Sequence, residues 1–216
     1  MSVSKTIVIS CAGMGTRLGI GSTKALIDID GKPLIVRQLE LLKDFDDIRI
    51  VVGYQMEKVI EVVNSYRKDI LFVFNHDYRN TGTGGSFSRA IKHAAELVVS
   101  LDGDLLVHPD DLMRVLNSDK ECVCGAIPCT EDPMLMKTLT QNGQIYGVGF
   151  SREEGEYEWT GLAQVKTARL TPGDHHVCDM MVPLLPLPME LIRTKEIDTM
   201  ADYEHAVAWV KSGYAD

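Results

Sequence analysis

The stretch Cys11-Ala12-Gly13-Met14-Gly15-Thr16-Arg17-Leu18-Gly19 follows directly on an apolar, β-branched run, Lys5 to Cys11. Glycines there let the backbone approach a polyphosphate closely and aim N–H donors at its oxygens. A tight surface turn would explain the glycines, but not the two cations Arg17 and Lys24 that accompany them. A dinucleotide-binding loop needs G-x-G-x-x-G opening a helix, and here the third glycine falls one place late. The P-loop pattern G-x-x-x-x-G-K-[ST] does not occur. Further on, Asp102-Gly103-Asp104 sets two carboxylates one residue apart. Asp and Gly also favour turns, so the same triplet suits the end of a strand.

These residues need a frame. Lys5 to Cys11 reads as a strand buried on both faces. Asp30-Gly31 is a turn, and Pro33 suits the first turn of a helix running to about Lys43. Ile48 to Val52 and Leu71 to Phe74 read as strands, with a helix from Glu57 to Tyr66 between them. The pattern predicts a helix over Gly84 to Glu96 and a fourth strand, Leu97 to Leu101, ending at the Asp-Gly-Asp. Strands alternating with helices predict an α/β fold: a Rossmann-like, mostly parallel mixed sheet flanked by helices. Ligands of such folds bind beyond the carboxyl ends of the strands, where both the glycine loop and the Asp-Gly-Asp fall.

The second half is less regular. Cys122 to Ile127, Thr138 to Leu139, Ile145 to Phe150 and Trp159 to Val165 read as short strands, partly antiparallel. Helices are expected over Pro172 to Met181 and Met200 to Lys211, and Asp198 could cap the last as an alternative or in addition to a ligand role. No repeat or linker interrupts the chain, so residues 1–216 are read as one domain.

Composition narrows the partners. The net charge of -9 argues against nucleic acid or an anionic membrane, which would need a basic face. A single nucleotide needs only local cations and N–H groups. The amino terminus lacks an apolar signal-peptide core and no segment reaches bilayer-spanning length, so a cytoplasmic protein without membrane insertion is expected. Five cysteines fit reduced thiols in that compartment better than a disulfide framework. Cys122 and Cys124 with His175, His176 and Cys178 make a poor zinc site, because Cys-x-Cys within a strand is not a zinc-knuckle spacing. The oligomeric state is open, a homo-oligomer included.

The ordered set of motifs resembles the sugar-phosphate and choline-phosphate nucleotidyltransferase superfamily. The resemblance begins with Gly13-Met14-Gly15-Thr16-Arg17-Leu18-Gly19, Lys24 and Gly31-Lys32-Pro33-Leu34. It continues through Val51-Val52-Gly53-Tyr54, Thr81-Gly82-Thr83-Gly84-Gly85-Ser86 and Leu101-Asp102-Gly103-Asp104. It closes with Glu196-Ile197-Asp198-Thr199 and Asp202-Tyr203-Glu204-His205-Ala206. The resemblance implies attack by an acceptor phosphate on the α-phosphorus of an NTP, with pyrophosphate leaving.

By similarity, the N–H groups of Ala12, Gly13, Met14, Gly15 and Thr16 would hold the triphosphate. Arg17 would neutralise the leaving pyrophosphate and Lys24 would bridge toward the α-phosphate. Asp104 and Asp198 would hold Mg²⁺, a hard ion suited to carboxylates, phosphate oxygens and water. Glu196 joins those metal ligands, assisting or holding a second ion as Asp102 would, and Gly82 and Thr83 would read the base. Sugar-nucleotide members carry a Glu-Lys-Pro whose lysine grips the sugar phosphate; here the region reads Phe150-Ser151-Arg152-Glu153-Glu154-Gly155. Arg152 and Lys166 are the substitutes to weigh. That departure weakens the reading as a uridylyl- or thymidylyltransferase acting on a hexose-1-phosphate. Glu196-Ile197-Asp198-Thr199 followed by Asp202-Tyr203-Glu204 resembles the cytidylyltransferases acting on choline-phosphate and similar headgroups, which implies CTP and a small phosphorylated or phosphonate acceptor. Two other readings stand beside it: a D-x-D glycosyltransferase, which would have no need of Arg17 and Lys24, and a non-catalytic nucleotide-binding regulatory subunit, which should have lost the carboxylates or cations.

Overall fold

A computed structural model describes residues 3–15 and 21–215. Its first half is a wound α/β unit with strands β1 (Lys5–Cys11), β2 (Ile48–Val52), β3 (Leu71–Phe74) and β4 (Leu97–Asp102). Helices α1 (Leu34–Leu41), α2 (Met56–Tyr66) and α3 (Thr83–Ala90) connect them. The strands lie side by side as β3-β2-β1-β4, all parallel. Alternation along β1 sends Ile7, Ile9 and Cys11 into a core shared with α1 and α2, and Val8 into a second core shared with α3. The sheet is thus covered on both faces, as a parallel sheet requires.

Beyond β4 come β5 (Leu105–Val107), α4 (Pro109–Leu116), β6 (Cys122–Ala126), β7 (Leu135–Gln141), β8 (Gln144–Ser151) and β9 (Tyr157–Lys166). They are followed by α5 (Val177–Met181), β10 (Leu187–Leu191), β11 (Thr194–Glu196) and α6 (Met200–Lys211). The large sheet continues from β4 as β9-β6-β10-β8-β7, and β7 also pairs with β9, so these five strands close into a ring. Residues in the ring are matched in size. A Cβ at Gly147 would lie 2.7 Å from Met136 Sδ, and one at Gly125 would lie 2.9 Å from Met189 Sδ. β5 and β11 form a separate antiparallel pair.

The sequence pattern and the structure differ in four places. The helix expected to run to Glu96 stops at Ala90. Arg49, on β2, donates to the carbonyls of Ala90, Lys92 and His93, satisfying helix-end acceptors that another turn would otherwise take. The helix expected from Pro172 begins only at Val177, because His176 and Asp179 form its capping box. The N-cap of α6 is Thr199, in a capping box with Asp202, and not Asp198. Finally, the sequence pattern does not mark β5, α4, β10 and β11, although Pro109 followed by Asp110 and Asp111 is a helix-start signal.

Candidate active site

Register brings the carboxyl ends of β1, β2 and β4 level: Ser10 lies opposite both Val51 and Asp102. The glycine loop leaves β1 at this edge. Asp102 ends β4, and Asp104 sits in the turn to β5. Glu196, the last residue of β11, pairs opposite Leu105, and the Ile197 N–H donates to the Asp104 carbonyl at 3.3 Å. This ladder carries Glu196 and Asp198 across from the far end of the chain. One carboxylate oxygen from each of Asp104, Glu196 and Asp198 lies within 4.8 Å of the others.

Lys24 completes the group. Its short 3-10 turn, Lys24–Leu26, is anchored by the fully buried Ala25. The ammonium donates to Asp104 Oδ2 at 2.8 Å and also to Asp198 Oδ1. Burial alone would lower the Lys24 pKa, but Asp104 and Asp198 outweigh it and hold the ammonium more firmly protonated than usual. The carboxylates feel the opposite pressure. Burial, then repulsion from Asp104, pushes Asp102 up to about 7 despite partial relief from Lys24. Burial, then Asp104, Asp198 and Asp102, pushes Glu196 up to about 8. Asp102 Oδ1 is buried without a partner. Among the described residues, Asp104 and Asp198 share the Lys24 ammonium, and Asp102 and Glu196 are crowded against them. A hard divalent cation with oxygen ligands fits both that crowding of carboxyl groups and the donor set.

Two residues that the motifs did not single out shape this turn. Gln38 on α1 is buried and donates to the Asp102 and Leu105 carbonyls, both at 2.8 Å. Its signal was a polar side chain among the buried Leu34, Ile35 and Leu39. Gly161 on β9 has φ +77°, and a Cβ there would lie 2.1 Å from Asp102 Oδ2. Nothing local in the sequence marked it.

The glycine loop runs beside Lys24. Gly15, at φ +58°, passes so close that a Cβ would lie 3.0 Å from Lys24 Cγ. The Ala12 carbonyl accepts from the Tyr54 N–H at 3.1 Å. Gly13 and Gly15 line a cavity of about 200 Å³ with Lys24 and Asp104, and Met14 is exposed. Thr16 and Arg17 lie outside the described residues.

A larger cleft of about 600 Å³ opens from the carboxylates. Ala12, Gly13, Gly82, Thr83 and Tyr78 line it toward α3, and Thr130, Asp132, Met134, Arg152, Glu158 and Trp159 line it toward the strand ring. Gly82 and Thr83 have structural duties as well. The Gly82 N–H donates to the Asp174 carbonyl at 2.8 Å and the Gly84 N–H to the His175 carbonyl at 2.9 Å. A Cβ at Gly82 would lie 2.2 Å from the His175 oxygen. These glycines therefore let residues 174–176 cross the amino end of α3. Arg152 pairs with Asp132 at 3.1 Å inside the cleft. Lys166 pairs opposite Leu97, the first residue of β4, at the end of the sheet away from Asp102. Of the two candidate phosphate cations, only Arg152 reaches the cleft.

The pattern of the MobA-like NTP transferase domain matches residues 7–181. The bifunctional protein GlmU of Aliarcobacter butzleri is 37% identical over 155 residues, covering 71% of this chain and 36% of the relative. The GlmU of Sulfurovum sp. is 30% identical over 135 residues, 62% of this chain and 30% of the relative. The chain thus spans about a third of the length of these curated relatives.

Among solved structures, a putative glucose-1-phosphate thymidylyltransferase from Bacillus anthracis superposes with TM-score 0.76 at 16% identity, over 96% of both chains. The inositol-1-phosphate CTP transferase from T. maritima gives 0.72 at 18%, over 100% of this chain and 99% of the other. The CTP:phosphocholine cytidylyltransferase from Streptococcus pneumoniae gives 0.72 at 18%, over 96% and 100%. At such identities the superpositions establish the fold. With the family pattern running from β1 into α5, the chain belongs to the MobA-like NTP transferase domain family.

Proposed function

We propose that the chain is a Mg²⁺-dependent cytidylyltransferase that joins CMP from CTP to a small phosphorylated or phosphonate acceptor. An acceptor phosphate oxygen forms the new bond to the α-phosphorus, the α–β bridging P–O bond breaks, and pyrophosphate leaves with the electron pair. The attacking oxygen is already an anion, so no strong general base is needed. The task is to align two mutually repelling anions and neutralise the charge between them.

The observation that carries this reading is the meeting of Asp104, Glu196 and Asp198 beside Lys24, next to a glycine loop. Asp104, Glu196 and Asp198 would hold Mg²⁺, which supplies charge neutralisation at the α- and β-phosphates when bound. Lys24 would orient and neutralise the α-phosphate, and Arg17 the pyrophosphate. The N–H groups of the glycine loop would receive the triphosphate oxygens. Asp102 would support the cluster, and the Gly82–Thr83 segment would border the base. Retention of Lys24 and all the carboxylates speaks for an enzyme rather than a regulatory subunit.

Two points support CTP and a cationic headgroup. The carboxy-terminal motif resembles that of choline-phosphate cytidylyltransferases, and two of the structural neighbours carry CTP in their names. Toward the strand ring the cleft offers Trp159, Met134, Asp132 and Glu158 against the single Arg152. An aromatic face beside carboxylates suits an amine or quaternary ammonium borne by the acceptor, with its phosphate turned toward Arg152 and the metal end. The similarity to GlmU keeps a uridylyl- or thymidylyltransferase acting on a hexose-1-phosphate as the second reading.

The test is pyrophosphate release with Mg²⁺ and each of the four NTPs. The acceptors are choline-phosphate, ethanolamine-phosphate, aminoalkyl-phosphonates, polyol-phosphates and hexose-1-phosphates. Release with CTP and a zwitterionic acceptor is expected. Release with UTP or dTTP and a hexose-1-phosphate would replace it with the second reading.

A further inference from the structure

The strand that brings Glu196 and Asp198 to the cluster is weakly held by its own backbone. β11 is three residues long and pairs only with β5 among the described residues. A one-residue slip in so short a ladder would turn Glu196 to the opposite face. Something else must fix its register.

The fixing point is at the other end of β11. Asp111, in the first turn of α4, is buried, yet both its oxygens are engaged. Oδ2 accepts from the Arg193 backbone N–H at 2.9 Å and from Arg193 Nε at 2.8 Å. Oδ1 accepts from Arg193 Nη2 at 3.2 Å and from Arg114 Nη1 at 2.6 Å. The His108 N–H donates to the Arg193 carbonyl at 3.0 Å, and Arg114 Nη2 donates to the Leu191 carbonyl at 2.8 Å. Burial would raise the Asp111 pKa, but Arg193 and Arg114 overcome it and hold the carboxyl far below the usual range. The clamp therefore stays ionised at any working pH.

This closes a loop. One arm runs from Asp104 through β5 and His108 to Asp111. The other runs from Arg193 through β11 to Glu196 and Asp198. The arms are joined at one end by Asp111–Arg193 and meet at the other in the carboxylate cluster.

We propose that Asp111 and Arg193 are positioning residues for the cluster, fixing the register of β11 so that Asp104, Glu196 and Asp198 converge on one divalent cation. The proposal rests on reading that cluster as a metal site. Groups bonded directly to metal ligands typically change metal affinity by about 10- to 100-fold, and a clamp acting through the β11 backbone belongs at the low end of that range.

The test is calorimetric titration of the full chain with Mn²⁺ alone, which needs neither nucleotide nor acceptor. Asp111→Asn is expected to raise the Kd for Mn²⁺ by about tenfold. Arg193→Lys should raise it less, because the backbone N–H bond to Asp111 survives. Arg49→Lys serves as a control, since it loosens the α3 end of the sheet without touching this loop. Its melting temperature should fall while Mn²⁺ affinity stays within about twofold of wild type. Folded Asp111→Asn and Arg193→Lys proteins with wild-type Mn²⁺ affinity would overturn the proposal. If Asp111→Asn does not fold, Arg193→Lys decides alone. Absence of Mn²⁺ binding by the wild type would overturn the metal-site reading itself, and this proposal with it.

Discussion

The two ends of the cleft are built differently. The carboxylate end is assembled from β1, β4, β11 and the Lys24 turn, and its groups are largely withdrawn from solvent: the Lys24 and Asp198 side chains are 12% and 9% exposed. Gln38 fastens the Asp102–Leu105 turn from below, and Gly161 leaves just enough room for Asp102. The ring end presents exposed pairs instead, such as Arg152–Asp132 with side chains 54% and 77% exposed. Exposed pairs of that kind contribute little to stability and reorient at little cost. The proposed transfer would use this division: fixed charge at the phosphates, adaptable contacts at the acceptor.

The strongest test of that division strikes the fixed end. Asp104→Asn and Lys24→Ala are each expected to lower turnover by about a hundredfold or more, because each removes charge stabilisation realised mainly in the transition state. Circular dichroism should show an intact fold. Near-normal turnover in folded proteins would remove the asymmetry between the two ends.

The adaptable end should respond in affinity rather than in rate. Trp159 packs edge-on against Phe150 at 5.3 Å and faces the cleft. Trp159→Ala is expected to raise the KM for a zwitterionic acceptor by about tenfold, roughly the energy of one desolvated cation–π contact. The KM for CTP should hardly change. An equal rise in both would mean that Trp159 supports the whole cleft.

The same division governed what could be read from the sequence. The strands Lys5–Cys11, Ile48–Val52 and Leu71–Phe74 and the helix Met200–Lys211 were legible because local patterning decides them. Lys24, Asp104, Glu196 and Asp198 were legible because each lies in a short motif, and the fold then brings them together. Gln38 and Gly161 were not, because their roles depend on Asp102, which arrives from another strand. The pattern over residues 84–96 runs past the observed helix end because the group that ends the helix, Arg49, lies far upstream. Local propensity carries no information about such partners. Residues 172–176 suit a helix by local propensity, yet the Asp174 and His175 carbonyls accept from Gly82 and Gly84 instead.

A subtler prediction concerns pH with the metal chelated. Asp102 and Glu196 are raised from 3.8 and 4.5 to about 7 and about 8. The folded protein therefore binds more protons than the unfolded chain between those limits. The stability these groups contribute is present below the unfolded values and is lost as pH rises through the folded ones. Carboxylates held low, such as Asp47 and Asp111, already contribute fully above about pH 5. In EDTA the melting temperature should therefore fall between about pH 5 and pH 8. Glu196→Gln should flatten that fall, and Mg²⁺ should reverse it. A flat wild-type profile in EDTA would show that the folded cluster does not hold Asp102 and Glu196 protonated.

The smallest expected effect separates two cations that the sequence left equivalent. Arg152 lines the cleft and is tied to Asp132. Lys166 lies opposite Leu97 at the far end of β4. Arg152→Ala should raise the acceptor KM severalfold, within the range of about 1 kcal/mol expected of a partly exposed charge, while Lys166→Ala stays within about twofold of wild type. The pair is informative because both substitutions remove one positive charge from the same chain, so long-range electrostatics changes alike. Any difference between them reports position. If Lys166→Ala matched Arg152→Ala, acceptor binding would depend on net charge, and the ring end could not be the acceptor's seat. If only Arg152→Ala weakens the acceptor, and leaves CTP alone, the boundary between fixed and adaptable ends falls between the carboxylate cluster and the Arg152–Asp132 pair.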